Sequence, residues 1–191
     1  MDLHRPENHA DPTDGQLVQR LRGGDGRAMT AVWQRYHARL YSFLLRLCRQ
    51  PAQAEDLLQE TFVRLGIYAA DLAADVPLLP WLFTVARNLY RSEQRKQTGW
   101  LRRLSMIQKH LDAPLSTPYS LAVAADHERR LEAALLALPE VYREALLLVA
   151  VEQLDLENAA QVLGISNAAL RKRVSRAKVM LREDLGEVGE T

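Results

Sequence analysis

The chain has 191 residues, of which 48% are hydrophobic and 6% aromatic, and its formal net charge is +1. That length suits one large domain or two small ones, and the apolar content excludes a disordered chain. With so few aromatics, Leu, Ala and Val must fill the cores, and a near-neutral charge gives no global argument for a nucleic-acid partner.

Taken in chain order, residues 1–27 read as a flexible leader: Pro6 and Pro12 sit among polar residues, and Gly23, Gly24 and Gly26 break the chain. This start has no apolar core of a signal peptide. Residues 28–48 carry Val32, Trp33, Tyr36, Leu40, Phe43, Leu44 and Leu47 at helical spacing. Pro51 stops that helix and opens the next, over 52–68, with Leu58, Phe62 and Leu65 on one side. Gly66, which costs about 1 kcal/mol of helix stability relative to Ala, points to an early end for it. Pro77 and Pro80 bracket a loop, and a third helix is predicted over 80–96.

Between 97 and 125 periodicity fails, and Gly99, Pro114, Ser116, Thr117, Pro118 and Ser120 mark a flexible linker, with a short helix at 101–111. Helical periodicity returns over 126–185, and 186–191 form a tail. No segment alternates as a strand does, and no repeat of fixed period appears. The expected fold is all-α: two small helical domains, 28–96 and 126–185, joined by the linker.

Local charge is segregated. Residues 87–109 hold seven Lys/Arg and one acid, and 171–182 hold six Lys/Arg and no acid. Residues 126–157 reverse this, with eight acids and three Arg. Such segregation predicts separate charged surfaces. Cys48 is the only cysteine, so no intrachain disulfide forms and no oxidising compartment is needed. The apolar runs are too short to span a bilayer. A soluble cytoplasmic protein is expected.

Residues 155–182 have the pattern of a helix-turn-helix. Asp155 caps a short helix over 156–163, Gly164 supplies the turn, and Ser166 caps a second helix. Leu170, Val174, Ala177 and Leu181 make the buried face of that second helix. At ~100° per residue, Arg171, Ser175 and Arg182 fall on one flank of its outer face, and Lys172, Arg176 and Val179 on the other. A basic outer face fits the DNA major groove, where arginine pairs with guanine while lysines and outlying arginines hold phosphates. A solvated amphipathic helix is the bland alternative.

Two further faces invite a reading. On the helix over 80–96, Arg87, Arg91 and Arg95 recur every four residues, with Thr84 and Asn88 beside them. Arginines and an amide on one face suit a nucleic-acid backbone, and Phe83 and Tyr90 are the nearest candidates for base stacking. A solvated charged face accounts for the same spacing. On the helix before it, Glu55, Asp56, Gln59 and Glu60 crowd together; helix-dipole stabilisation, a carboxylate pair or a protein-docking face each account for them.

The string Ala54-Glu55-Asp56-Leu57-Leu58-Gln59-Glu60-Thr61-Phe62 closely resembles the signature of extracytoplasmic-function (ECF) sigma factors of the sigma-70 family. Trp81-Leu82-Phe83-Thr84-Val85-Ala86-Arg87-Asn88-Leu89 is similar to the same family. So are Leu138-Pro139-Glu140 with Arg143-Glu144, and Val162-Leu163-Gly164-Ile165-Ser166 followed by Arg173-Val174-Ser175-Arg176-Ala177. The resemblance implies that Asp56, Gln59, Glu60 and Phe62 bind core RNA polymerase. It implies that Thr84, Arg87, Asn88, Arg91 and Arg95 (sigma region 2) take the promoter −10 element. Asn167, Arg171, Lys172, Arg173, Ser175 and Arg176 (sigma region 4) would read the −35 element. It also implies an anti-sigma partner, often membrane-anchored, and no cofactor or small-molecule substrate.

The chain departs from the family at Gly66, where Trp is usual, and at Ser92, where Asp is usual. Lys172 and residues 167–169 replace small residues common on the recognition helix. A resemblance to heavy-metal-resistance members is slight, and the five histidines show no metal-ligand spacing. The alternative function is a one-component helix-turn-helix regulator, dimeric on two half-sites. No Gly-rich phosphate loop, HExxH or nucleophile elbow points to an enzyme.

Overall fold

The computed structural model describes residues 11–104 and 125–186, with the side chains of 98–104 and 125–128 left aside. Among the described residues are eight α-helices and no strand. The first unit comprises α1 (Asp14–Arg22), α2 (Gly26–Cys48), α3 (Pro51–Tyr68) and α4 (Leu78–Leu104). The second comprises α5 (Ala125–Ala137), α6 (Glu140–Leu146), α7 (Leu156–Leu163) and α8 (Asn167–Leu185). The chain of α6 continues into a π-helical turn, Leu147–Val151.

Helix α1 corrects the expectation of a flexible leader through residue 27. Thr13 and Gln16 form a reciprocal capping box: the Gln16 N–H donates to Thr13 Oγ1 at 3.3 Å, and the Thr13 N–H to Gln16 Oε1 at 2.9 Å. Leu17, Val18 and Leu21 then fall on one face and are buried. Asp14 ties the helix to α2, accepting from the Tyr36 hydroxyl at 2.5 Å and from Arg35 at 2.9 Å. Burial and the neighbouring Asp14 carboxylate push the Tyr36 hydroxyl up to about 12.

Local signals start and stop the other helices. Asp25 caps α2, which ends on Arg49 in the left-handed region at φ 60°. Pro51 sits in the first turn of α3, where its missing N–H costs nothing. Gly66 does not end α3 early. The helix runs on to Tyr68 and a short 3₁₀ turn, Ala69–Asp71, because Leu65 and Ala69 on either side of the glycine are buried. Helix α4 also outruns its predicted end at 96, reaching Leu104. The predicted linker is therefore shortened at its start, and residues 105–124, including most of the expected 101–111 helix, lie outside the described residues.

The core of the first unit centres on α2 and α4, where Phe43 and Phe83 meet edge-on at 5.0 Å. Such pairs add about 0.5–1.5 kcal/mol beyond area burial. Leu40, Leu44, Leu47, Leu65 and Leu82 close around them. In the second unit Leu147, Leu148, Leu163 and Leu170 play that part. The two cores are continuous, with α4 packed on α7 and α2 on α6.

If α1 belongs to the core, Leu17→Ala will cost about 2–5 kcal/mol by the cavity it leaves. Chemical denaturation measures this; a loss below about 1 kcal/mol would mean that α1 is not docked in solution.

Candidate nucleic-acid interface

Helix α8 is placed by a capped turn. The Asp155 carboxylate accepts from the Asn158 N–H at 2.8 Å and starts α7; these cap bonds hold its carboxyl below the usual range. Gly164 ends α7 at φ 65°, a conformation that side chains disfavour. Ser166 then accepts from the Ala169 N–H at 3.2 Å and opens α8. Leu170, Val174 and Ala177 are buried, and Leu181 is half-buried on the same face.

The outer face of α8 carries Asn167, Arg171, Lys172, Ser175 and Arg176, all exposed, while Arg173 is half-buried. An exposed basic helix face with a hydroxyl among its cations has the chemistry to enter a DNA major groove, which admits an α-helix. Its cap, turn and buried stripe stand where the sequence places them.

Helix α4 presents a different picture. Asn88 and Arg95 are exposed, but Arg87 is only 4% exposed. Its Nε donates to Glu144 Oε1 at 3.0 Å and its Nη2 to Glu144 Oε2 at 3.1 Å, a bidentate pair with a carboxylate that is 0% exposed. Its Nη1 reaches the Val162 carbonyl at 3.4 Å. In this conformation Arg87 is therefore not part of an open DNA face, contrary to expectation: the second unit covers it. Arg91 lies 3.9 Å from Glu140. Thr84 turns its hydroxyl inward onto the Pro80 carbonyl at 2.9 Å. Phe83 and Tyr90 are both buried, so neither is placed to stack on a base here. The Tyr90 hydroxyl donates to Glu140 at 3.1 Å, and burial together with that carboxylate pushes its pKa up.

Helix α3 offers an acidic and apolar face. Asp56 and Gln59 are exposed, and Glu60 is half-buried and pairs with Arg64 at 2.7 Å. Phe62 is 8% exposed and packs on Trp33 at 4.6 Å, so it holds α3 to α2 instead of meeting a partner. Sequence reasoning missed Val63 and Ile67, which are 53% and 62% exposed. They continue the stripe of Asp56, Gln59 and Glu60 at spacings of three and four. The signal was present: these are apolar residues off the Leu58–Phe62–Leu65 face. Beside this stripe, Trp33, His37, Tyr41, Glu55 and Leu58 line an open groove of about 420 Å³.

Among the described residues, no group of His, Cys, Asp and Glu is placed to hold a metal ion, and no helix is long and apolar enough to cross a membrane. The arrangement is all-helical in two units, with an exposed basic face on α8 and a separate acidic and apolar face on α3. Family models agree on both units: Sigma-70 region 2 matches residues 32–99, and a Sigma-70 region 4 model matches 128–181. The chain is 34% identical to the RNA polymerase sigma factor CarQ of Myxococcus xanthus over 90% of its length and 97% of that protein's. It is 32% identical to the ECF RNA polymerase sigma factor SigM of Bacillus subtilis, over 79% of this chain and 91% of that one. It is likewise 32% identical to RfaY of Xanthomonas campestris, a probable sigma factor, but spans only 46% of that protein's length.

Among solved structures, the sigma factor RpoE of Bartonella quintana, in complex with the anti-sigma factor NepR, matches with a TM-score of 0.67 and 26% identity. That match covers 84% of this chain and 98% of that one. CnrH in complex with the cytosolic domain of CnrY shares the fold with a TM-score of 0.69 at 24% identity, over 92% of this chain and 99% of that one. The chain belongs to the ECF group of the sigma-70 family of RNA polymerase sigma factors.

If α8 holds ~4–6 phosphates, the logarithm of duplex affinity should fall against log salt with a slope of roughly −4 to −5. Arg171→Ala and Arg176→Ala should each flatten that slope by about 1 if they hold a phosphate. A flat salt response in the parent chain would return α8 to an ordinary solvated helix.

Proposed function

We propose that this sigma factor binds core RNA polymerase through α3 and grips promoter DNA twice, at the −10 element through α4 and at the −35 element through α8. The observation that carries this reading is the exposed basic face of α8, set on a capped helix-turn-helix within a chain of this family. Arg171, Lys172, Ser175 and Arg176 supply base and phosphate contacts, with Asn167 and Arg173 at the edges of that surface. On α4, Asn88 and Arg95 are presented to solvent, and Arg87, Arg91 and Thr84 complete the −10 face once the second unit moves away.

Core polymerase docks along Asp56, Gln59 and Glu60, and Val63 and Ile67 extend that footprint. An acidic start and an apolar end call for a partner surface that is basic at one end and greasy at the other. The factor works in the cytoplasm and carries no catalytic step of its own; polymerase supplies the chemistry. Its activity is held in check by an anti-sigma protein, membrane-anchored in this proposal; the solved relative RpoE stands in complex with the anti-sigma factor NepR.

Asp56→Lys reverses charge on an exposed side chain, so the fold should survive and affinity for core polymerase should fall at least about tenfold. Ile67→Ser should weaken it about three- to tenfold through lost apolar burial. Titration of labelled chain with core enzyme measures both. Unchanged affinity in both variants would remove α3 from the interface.

A further inference from the structure

Gly66 is unfavourable for α3, and nothing inside the fold requires it. It lies two residues before the end of the helix with ordinary helical backbone, outside the left-handed region that favours glycine. It is exposed. Among the described residues outside its own helix, a Cβ at this position would meet only the Met29 methyl, at 3.6 Å, which is an ordinary contact. Alanine would therefore fit without strain. Inside a helix, glycine lowers the folded-to-unfolded ratio about fivefold relative to alanine. A glycine that propensity disfavours, with room for a side chain, marks a place where something outside the chain comes close to the backbone.

The neighbouring side chains show what kind of surface comes there. Val63, Ile67 and Tyr68 are large, apolar and exposed, all within one turn of Gly66. At ~100° per residue, Gly66 shares a flank of α3 with Glu55 and Gln59. Those two line the groove against Trp33, His37 and Tyr41 of α2. Met29, opposite Gly66, precedes Trp33 by about one turn, so the glycine carries the line of that groove on toward the apolar end of the helix. The whole surface is continuous with Asp56, Gln59 and Glu60. We infer that Gly66 is the point of closest approach to core RNA polymerase, where a bulky apolar side chain of the polymerase seats on bare α3 backbone between Val63, Ile67 and Met29. The inference rests on the reading of α3 as the polymerase-docking helix and adds what the polymerase brings to its apolar end. Packed helix axes lie roughly 8–10 Å apart according to the side chains between them, and glycine allows the short end of that range. A side chain at position 66 would hold the polymerase off and loosen its contacts with Val63 and Ile67, because a gap of about 1 Å forfeits up to about half of a dispersion contact. A second copy of this chain suits the face poorly. Paired on the same surface, it would bring more carboxylates to Asp56 and Glu60, which call for cations.

The test pairs two measurements on the full chain: denaturant unfolding of the free protein, and titration of labelled protein with core enzyme. Gly66→Ala should raise the folded-to-unfolded ratio about fivefold and yet weaken core binding about two- to threefold. Gly66→Leu should keep at least the parent's stability and weaken binding at least about tenfold. Stability and affinity then move in opposite directions, which a merely structural glycine would not produce. Asp56→Lys, run beside them, separates this inference from the docking reading. If Asp56→Lys weakens binding while both Gly66 variants bind as the parent does, the close approach is overturned and α3 remains the docking helix. If all three bind as the parent does, the docking reading falls and the inference falls with it. A loss of stability in Gly66→Ala would give the glycine an internal role and overturn the inference. So would sedimentation showing a parent dimer that Gly66→Leu turns into monomer with core affinity unchanged, because the surface would then belong to a second copy.

Discussion

One buried ion pair sets the relation between the two halves of this molecule. Arg87 and Glu144 are both withdrawn from water, and burying two charges costs several kcal/mol per ion unless hydrogen bonds replace the lost solvation. Here they do: two parallel bonds join guanidinium and carboxylate, and a third nitrogen reaches the Val162 carbonyl. Because Arg87 is on α4, Glu144 on α6 and Val162 in α7, this one side chain fixes three helices from two units. Removing either partner while the units stay packed would cost about 3–5 kcal/mol, because a lone charge would remain buried. The pair therefore works less as glue than as a register pin.

Around the pin, polar contacts are arranged in the same economical way. Arg143, next to Glu144, is buried too; it donates to the carbonyls of Leu136 and Leu138, where α5 ends, and burial pulls its pKa down. Arg49, in a left-handed cap, reaches across to the Leu136 carbonyl. Glu152 is pushed up by burial and pulled down by Arg39. Arginine serves such sites well because its planar fork satisfies several acceptors at once. The working faces of α3 and α8 are left outside this network, on rigid helices whose opposite sides are locked into the core. That division leaves those faces exposed while the junction between units combines a continuous apolar core with the arginine–carboxylate pairs.

Most of the architecture was legible because its signals are local. Asp155, Gly164 and Ser166 act on their own backbone neighbours, so caps and turn can be read without knowing the fold. The apolar stripes of α2 and α8 follow from helical period alone. Helix α1 was missed for an instructive reason: its stripe of Leu17, Val18 and Leu21 is short and lies between Pro12 and Gly23, two breakers that outweigh it unless the Thr13–Gln16 capping box is recognised. The passage of α3 through Gly66 depended on tertiary packing, which overrides propensity.

The site was less legible than the fold. Arg87, Arg91 and Arg95 share a spacing, yet one is buried, one is paired and one is exposed, because a second unit far along the chain decides their environment. Phe62 belongs to a family signature, but signatures mix packing residues with contact residues, and only burial against Trp33 separates them. Val63 and Ile67 show the converse: apolar residues on a polar face, invisible to a search for charge.

The central claim is that this chain gives core polymerase a promoter preference through two separate DNA faces. Reconstituted run-off transcription on genomic fragments, with core enzyme alone and with the chain added, tests it most directly. The account predicts new start sites that appear only with the chain and share two upstream elements, and that disappear when Arg171 and Arg176 are both replaced by Ala. Core enzyme that starts nowhere new when the chain is present would contradict it.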